Sequence, residues 1–229
     1  MKRALYEIKT MVGRYPRLAI PVARRRHGMP VGADTNLVIE GFPRSGLTFA
    51  VVAFTTSQSE PVHVAGRVHA PAQVIAAVRT GIPAMVLIRE PEDVIPSFVV
   101  RHPRIGIRQA VRGYLRFYRP LLRYREGIVV GTFKEVTTDF GTVIGRVNDR
   151  FGTSFRRFEH TDENVRRVWD AIDRDYRTRV AGGGEFDRIV ARPSSGREDA
   201  KQWVRRAYES PGLSRARSRA RALYELFVP

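Results

Sequence analysis

Short apolar runs alternate with amphipathic helical patterns along this chain, and this alternation constrains its fold more than any other feature. Residues 37–42 and 84–88 are short and largely apolar, as strands buried on both faces are. Residues 127–133 carry enough β-branched side chains to predict a third strand, and residues 62–65 predict a weaker fourth. Strands that alternate with helices predict an α/β fold, in which helices flank a central parallel sheet.

Three segments have apolar side chains at helical spacing, and they predict helices over residues 107–122, 140–151 and 165–176. Residues that can cap a helix N-terminus precede the last two segments: Thr138, Asp139, Thr161 and Asp162. In the first segment Pro120 has no N–H to donate, so we expect it to kink or split that helix.

The chain has 229 residues, of which 43% are hydrophobic and 28% are charged. A chain of this size folds around one core, so we expect one domain over residues 1–229, with a basic N-terminal appendage at 1–30 and a C-terminal lid and helices at 181–229. No apolar run approaches the roughly 18 residues of a transmembrane helix, and no signal-peptide pattern is present. Because Cys is also absent, we expect a cytoplasmic protein without disulfides or thiolate metal sites.

The formal net charge is +17, from 40 basic and 23 acidic residues. Only four of the cations are lysines. Such a preference for arginine reflects the codon bias of a GC-rich genome more than one surface function. The positive field still favours an anionic partner: a nucleotide, an acidic substrate, nucleic acid or an anionic membrane surface.

Both ends of the chain have amphipathic helical patterns. Residues 1–27 are basic, with these side chains on one helical face: Leu5, Ile8, Met11, Val12 and Tyr15. Such a helix either lies on an anionic membrane surface or packs its apolar face on the domain, and the second arrangement is favoured. In the C-terminal pattern the following residues are expected to face inward: Leu213, Ala216, Ala220, Leu223 and Phe227. The three consecutive glycines at 182–184 predict the hinge of a lid that orders on nucleotide binding.

Residues 37–49 place a glycine-containing loop between a predicted strand and a predicted helix. Gly41 and Gly46 allow backbone N–H groups to turn into one concavity, to which the helix N-terminus adds partial positive charge, so the segment predicts a phosphate cradle. The spacing of the two glycines matches the first part of a P-loop. However, Leu47 stands where a P-loop NTPase has its phosphate-bridging lysine, and the nearest cation is Arg44.

A second motif follows the predicted strand at 84–88, where Arg89 stands at the strand end and Ser97 comes eight residues later. With residues 43–49, this motif resembles the PAPS-dependent sulfotransferases, of the bacterial type. Residues 43–49 are similar to the family's phosphosulfate loop, and Arg89 and Ser97 are similar to the pair that grips the 3′-phosphate. The resemblance implies a three-layer, P-loop-NTPase-like α/β fold and PAPS as the donor, with PAP as its product. It implies cofactor-binding roles for the following residues: Arg44, Ser45, Gly46, Leu47, Thr48, Phe49, Arg89 and Ser97.

The resemblance also implies catalytic residues. His69 is then the general base, and Arg67 and Arg44 help to neutralise charge on the phosphosulfate. A neutral imidazole suits this role, because it can accept the proton of an acceptor hydroxyl at pH 7. His63 is a competing candidate, whereas His102 stands in no comparable context.

Two departures from the family pattern affect the nucleotide. Leu47 removes a hydroxyl that the family gives to the 5′-phosphate, and Phe49 stands where a tryptophan often stacks on adenine. Near the C-terminus, Arg192 and Arg197 are loosely similar to the basic segment that closes over the 3′-phosphate. A capping box at the start of a helix explains that last segment equally well.

We therefore expect an enzyme that moves the sulfuryl group of PAPS in line to a hydroxyl or amine, without a metal. The acceptor is a small molecule, a carbohydrate or a lipid; we expect no nucleic acid, and peripheral contact with an anionic membrane fits the basic surface. Two alternatives stay open. One is a P-loop small-molecule kinase, which Leu47 disfavours, and the other is a basic nucleic-acid-binding protein, for which no binding motif is recognised.

Overall fold

The structure is a computed structural model that describes residues 2–25, 29–179 and 196–228. In this part of the chain four parallel strands form one sheet in the order β2-β1-β3-β4. The strands are β1 (Leu37–Gly41), β2 (Val64–Gly66), β3 (Ala84–Ile88) and β4 (Val129–Thr132). The sequence predicted β3 correctly. The strand that was predicted at 127–133 is shorter in the structure, because Gly127 belongs to a 3-10 turn and Phe133 begins a helix.

Helices precede, connect and follow the strands. Those in the first half of the chain are α1 (Lys2–Val12), α2 (Pro16–Arg24), α3 (Leu47–Ser57), α4 (Pro71–Thr80), α5 (Pro91–Arg101) and α6 (Ile107–Tyr118). Those in the second half are α7 (Phe133–Thr138), α8 (Phe140–Phe151), α9 (Asp162–Arg179), α10 (Gly196–Tyr208) and α11 (Ser214–Glu225). Two 3-10 segments, Arg119–Gly127 and Pro211–Leu213, complete the described structure.

The sheet lies between two hydrophobic cores, because neighbouring side chains of a strand point to opposite faces. Val38 and Val86 belong to one core, which is covered by α4, α5, α6 and the C-terminal helices. Ile39 and Leu87 belong to the other, which is covered by α3, α8 and α9. The predicted three-layer α/β fold with a central parallel sheet is thus confirmed, and both faces of the sheet are buried as parallel sheets require.

The helix boundaries follow local signals. Asp139, rather than Thr138, caps α8, since its carboxylate accepts from the Thr142 N–H at 3.3 Å. Thr161 caps α9 in the same way, as its hydroxyl accepts from the Asn164 N–H at 3.2 Å. The helix at 107–122 ends at Tyr118 and continues as a 3-10 turn, as the proline at 120 predicts.

The N-terminal helices differ from the favoured expectation. Their apolar face is exposed, and α1 and α2 pack on α6 and α4 through the opposite side. At the C-terminus the expected inward face is confirmed for the residues that are buried: Leu213, Ala220, Leu223 and Phe227. Among the described residues no helix is both long and apolar enough to cross a membrane. The hinge predicted at residues 182–184 lies outside the described residues.

Candidate functional site

The loop from Phe42 to Gly46 leads from β1 into α3 and has a backbone that can accept an anion. Gly41 has to be glycine, because a Cβ there would lie 2.7 Å from the carbonyl oxygen of Leu87 on β3. Arg44 (φ 76°) and Gly46 (φ 86°) both adopt left-handed conformations, of the kind from which anion-binding loops are built. No side chain caps α3. The N–H groups of its first turn have no partner within the helix and suit an anion.

A buried tyrosine fixes the start of this loop. The Tyr118 hydroxyl donates to the carbonyl oxygen of Leu87 at 2.7 Å and accepts from the Phe42 N–H at 3.2 Å. The hydroxyl oxygen of Ser45 lies 3.4 Å from the hydroxyl oxygen of Tyr118. Tyr118 therefore ties the loop after β1 to the end of β3, although the sequence indicated it only as part of a helical stripe.

The structure brings the two sequence motifs together. Arg44 on the loop donates its Nε to the hydroxyl oxygen of Ser97 on α5 at 3.1 Å. Ser97 is buried and Arg44 half-buried. The loop after β1 and the start of α5 after β3 thus share one edge of the sheet, the edge at which ligands of parallel α/β sheets bind.

Arg89 follows β3 at the same edge. Its guanidinium carbon lies 3.8 Å from the centre of the Phe133 ring, and one of its terminal nitrogens lies 3.5 Å from the Asp93 carboxylate. Its Nε is buried without a hydrogen-bond partner, and burial lowers the pKa of the guanidinium. Phe133 also borders the loop, since a Cβ on Gly46 would meet the ring at 3.3 Å. Arg89 and the loop therefore flank one aromatic ring.

His69 lies next to the start of the loop. Its Nδ1 is 3.0 Å from the carbonyl oxygen of Gly41. Because a carbonyl oxygen can only accept, Nδ1 carries the proton and Nε2 is left as the basic nitrogen. Burial lowers the pKa of His69 from 6.5 to about 4, which keeps the imidazole neutral at pH 7.

Glu40 holds the segment around His69. Its carboxylate is fully buried and accepts from the N–H groups of Val68 at 2.8 Å, His69 at 3.1 Å and Gly41 at 3.2 Å. Arg67 and His69 have φ angles of 62° and 55°, which non-glycine residues rarely adopt. The carboxylate thus fixes a strained backbone that positions the side chains of Arg67 and His69, two of the three predicted catalytic residues.

Sequence reasoning missed Glu40, although the signal was present as one charged residue inside the apolar run at 37–42. A charge buried in a strand is costly unless it is hydrogen-bonded, so such a residue indicates a specific structural role. Burial raises the pKa of the Glu40 carboxyl from 4.5 to about 7, and the three N–H donors oppose that rise.

Arg67 extends toward α9. One of its terminal nitrogens lies 3.6 Å from the Asp175 carboxylate on α9, and its Nε is buried without a hydrogen-bond partner. Its side chain is largely buried. A guanidinium with one long ion pair retains donor capacity for a further anion.

Next to His69 is a cavity of about 670 Å³, a volume typical of ligand sites. Its walls come from α1, the loop after β1, the end of α5 and α6, and it is open to solvent on one side. Aromatic rings of Phe42, Phe98 and Phe117 form its apolar lining, and Lys9 and Arg101 add positive charge. Nothing in the sequence predicted this cavity, because its wall is assembled from segments far apart in the chain.

His102 also lines the cavity, although its sequence context gave no indication of this. Its ring lies 4.7 Å from that of Phe98, and burial together with the nearby cations lowers its pKa to about 4. His63, the competing candidate, lies elsewhere: it is exposed and its Nδ1 is 2.7 Å from the carboxylate of Asp34. The structure therefore brings His69 and His102 to the cavity.

Two other residues that were predicted to bind the cofactor have their side chains in the core. Leu47 is buried, and Phe49 is 4% exposed, with its ring in contact with Phe158, His160 and Trp169. The structure thus places the ring expected to stack on adenine in the core. Thr48 is half-buried in the same first turn of α3. Arg192 and the side chain of Arg197 lie outside what the structure describes.

No protein-family model matches this chain, and no curated protein matches it in sequence. Among solved structures it is similar to the mouse sulfotransferase SULT7A1 complexed with PAP, with a TM-score of 0.43 and 10% sequence identity. That match covers 90% of this chain and 93% of the mouse chain.

Proposed function

We propose that this protein is a sulfotransferase that moves the sulfuryl group of PAPS to a hydroxyl or amine acceptor. The observation that carries the proposal is the 3.1 Å hydrogen bond from Arg44 to Ser97. It joins a phosphate-accepting loop to the arginine–serine motif at the sheet edge where α/β proteins bind ligands. A nucleotide with phosphates at both ends of its ribose needs two such anion sites side by side.

Two groups of residues suit the two ends of this donor. The 5′-phosphosulfate would be bound by the Arg44 guanidinium and by the backbone N–H groups of Arg44, Gly46 and the first turn of α3. Arg89 and Ser97 offer a guanidinium and a hydroxyl to the 3′-phosphate, and a guanidinium can bind phosphate oxygens in pairs. Arg89 fits this role because its Nε has no hydrogen-bond partner and its ion pair with Asp93 is long, at 3.5 Å.

Sulfuryl transfer forms a bond from the acceptor oxygen or nitrogen to sulfur and breaks the bond from sulfur to the phosphate oxygen. The electron pair of the broken bond stays on the phosphate, so negative charge grows on PAP. In our proposal Arg44, Arg67 and the loop N–H groups stabilise that charge. His69 accepts the acceptor's proton at Nε2, while Gly41 and Glu40 fix the orientation of its ring and backbone.

The cavity beside His69 is the proposed acceptor site. It adjoins the loop through Phe42 and Pro43, so an acceptor in the cavity would lie between His69 and the phosphosulfate loop. Its apolar lining and the charge of Lys9 and Arg101 favour an acceptor that combines an apolar part with an anionic group. Small molecules, carbohydrates and lipids all remain candidates.

The test is thermal unfolding of the protein with PAP, with AMP, and with ATP plus magnesium. A ligand that binds the native state raises the melting temperature according to its saturation. We expect PAP to raise it most, because AMP lacks the 3′-phosphate. If only ATP with magnesium raises the melting temperature, the protein is a P-loop kinase instead, although Leu47 stands where such a kinase has its phosphate-bridging lysine.

A further inference from the structure

The N-terminal helices expose an unusual amount of apolar surface. Ile8 and Met11 on α1 are 57% and 55% exposed. Further large apolar side chains on α1, α2 and the turn between them are exposed to a similar degree: Leu5, Tyr15, Leu18 and Val22. Scattered apolar side chains are ordinary on protein surfaces. Leu5, Ile8 and Met11, however, are spaced about one helical turn apart and share one face of α1, and such a continuous apolar face indicates a binding surface.

The contacts of α1 fix which of its faces is exposed. Tyr6 packs on Phe98 with ring centres 5.7 Å apart, and the Glu7 carboxylate pairs with Arg112 at 2.7 Å and with Arg116. A polar and aromatic face is thus turned inward. The apolar face of α1 is exposed, although a rotation of the helix about its axis would bury it. An amphipathic helix on a protein surface usually turns its apolar face toward the core, so the orientation of α1 is unusual.

Positive charge surrounds this apolar face. Residues 2–25 contain seven arginines and lysines and one acidic residue, Glu7, whose charge is already paired within the fold. Arg14, Arg17, Arg24 and Arg25 are exposed. An apolar stripe bordered by arginines is the pattern of helices that lie in the interface of an anionic bilayer, where apolar side chains enter the lipid and cations meet the headgroups.

We propose that α1 and α2 dock this protein on the surface of an anionic membrane. A second copy of the chain fits this face less well. In a symmetric dimer the same patch of both subunits meets, so two strongly basic segments would be brought together. An anionic bilayer matches both the charge and the apolar side chains.

The docking surface reaches the cavity beside His69. Leu5 is exposed on α1 and also lines the cavity, and Lys9 on the same helix does so too. If the sulfotransferase proposal is correct, on which this consequence rests, the acceptor is a membrane-resident compound with an anionic or polar headgroup. The docking itself needs neither PAPS nor activity.

The test is sedimentation of the full chain with vesicles of phosphatidylcholine alone and of phosphatidylcholine mixed with phosphatidylglycerol. We expect binding to the anionic vesicles only, and weaker binding at higher salt. The double variant Ile8→Glu/Met11→Glu should bind at least about tenfold more weakly. The matched control is Trp203→Glu/Leu226→Glu, which changes two side chains that are 71% and 62% exposed elsewhere and should bind as the unmodified protein does.

Circular dichroism of each variant checks that it is folded, and size-exclusion chromatography with light scattering gives its oligomeric state. Failure of the unmodified protein to bind anionic vesicles overturns the proposal, as does equal binding by the Ile8/Met11 variant. A dimer that dissociates only in that variant assigns the face to a second copy instead. None of these measurements uses a nucleotide, so the membrane proposal can fail or succeed independently of the test with PAP.

Discussion

Arg44 and Ser97 lie 53 residues apart in the chain, and the Nε of the arginine donates to the hydroxyl of the serine at 3.1 Å. Arg44 has a left-handed backbone in the loop that is proposed to bind the 5′-phosphosulfate, whereas Ser97 is buried in the helix after β3. One hydrogen bond therefore joins the two segments of the protein that are proposed to bind the two ends of the nucleotide. Loss of either partner is expected to affect both ends.

This coupling can be measured with Ser97→Ala, Arg44→Ala and the double variant. Ser97→Ala should weaken PAP binding by about 1–3 kcal/mol, because it removes a hydroxyl and releases the guanidinium. The double variant should lose less than the sum of the two single losses. Calorimetric titration with PAP checks this. Ser218→Ala, an exposed serine on α11, is the control and should bind normally. Additive losses would show that the two residues act independently.

His69→Ala should abolish sulfuryl transfer and leave PAP affinity nearly unchanged, since the imidazole is proposed to act on the acceptor. Transfer is followed as PAP release from PAPS with a panel of hydroxyl acceptors, and affinity by titration. The pKa of about 4 keeps His69 unprotonated, so kcat/KM should not fall between about pH 8 and about pH 6.

His63→Ala is the matched control, because His63 is exposed and pairs with Asp34 away from the cavity. It should retain full activity. If His69→Ala retains activity while His102→Ala loses it, then His102, the other histidine that lines the cavity, is the base.

Tyr118→Phe should destabilise the protein by about 1–3 kcal/mol, because it leaves the Phe42 N–H and the Leu87 carbonyl without their buried partner. Unfolding by urea measures the change. Tyr124→Phe removes a hydroxyl that accepts from Arg79 at the surface, and it should cost much less. Equal losses in the two variants would mean that the buried hydroxyl has no special role.

Glu40 is expected to make the stability of the protein depend on pH. Its folded-state pKa of about 7 lies above the ordinary 4.5, so the folded protein binds this proton more tightly than the unfolded chain does. The resulting stability is complete below about pH 4.5 and is lost as the pH rises through about 7, by up to about 3 kcal/mol.

The measurement is the difference in free energy of unfolding between the unmodified protein and Glu40→Gln, from about pH 5 to about pH 9. Taking the difference removes the contribution of the other titrating groups. The unmodified protein should lose stability relative to the variant as the pH rises. A difference that does not change with pH would mean that Glu40 titrates with an ordinary pKa.

The sequence predicted what depends on short-range patterns. The strand at 84–88, the helices α8 and α9, and the break before Pro120 follow from periodicity, caps and proline geometry. The meeting of the segments after β1 and β3 also follows, because parallel strands end at the same edge of a sheet.

Features that depend on distant contacts could not be predicted in this way. Phe49 is in the core because Phe158 and Trp169, more than 100 residues later, enclose it. The cavity exists because α1 packs on α6, next to the end of α5. The exposed face of α1 was expected to be buried, since amphipathic periodicity indicates which residues share a face but not what that face contacts.

The central claim is that a nucleotide with a 3′-phosphate binds beside Arg89, and calorimetric titration with PAP and AMP tests it most directly. We predict that the unmodified protein binds PAP more tightly than AMP. Arg89→Ala should weaken PAP binding by about 1–3 kcal/mol and AMP binding less, whereas the exposed Arg79→Ala should change neither. Absence of PAP binding, or equal binding of PAP and AMP in every variant, would contradict the account.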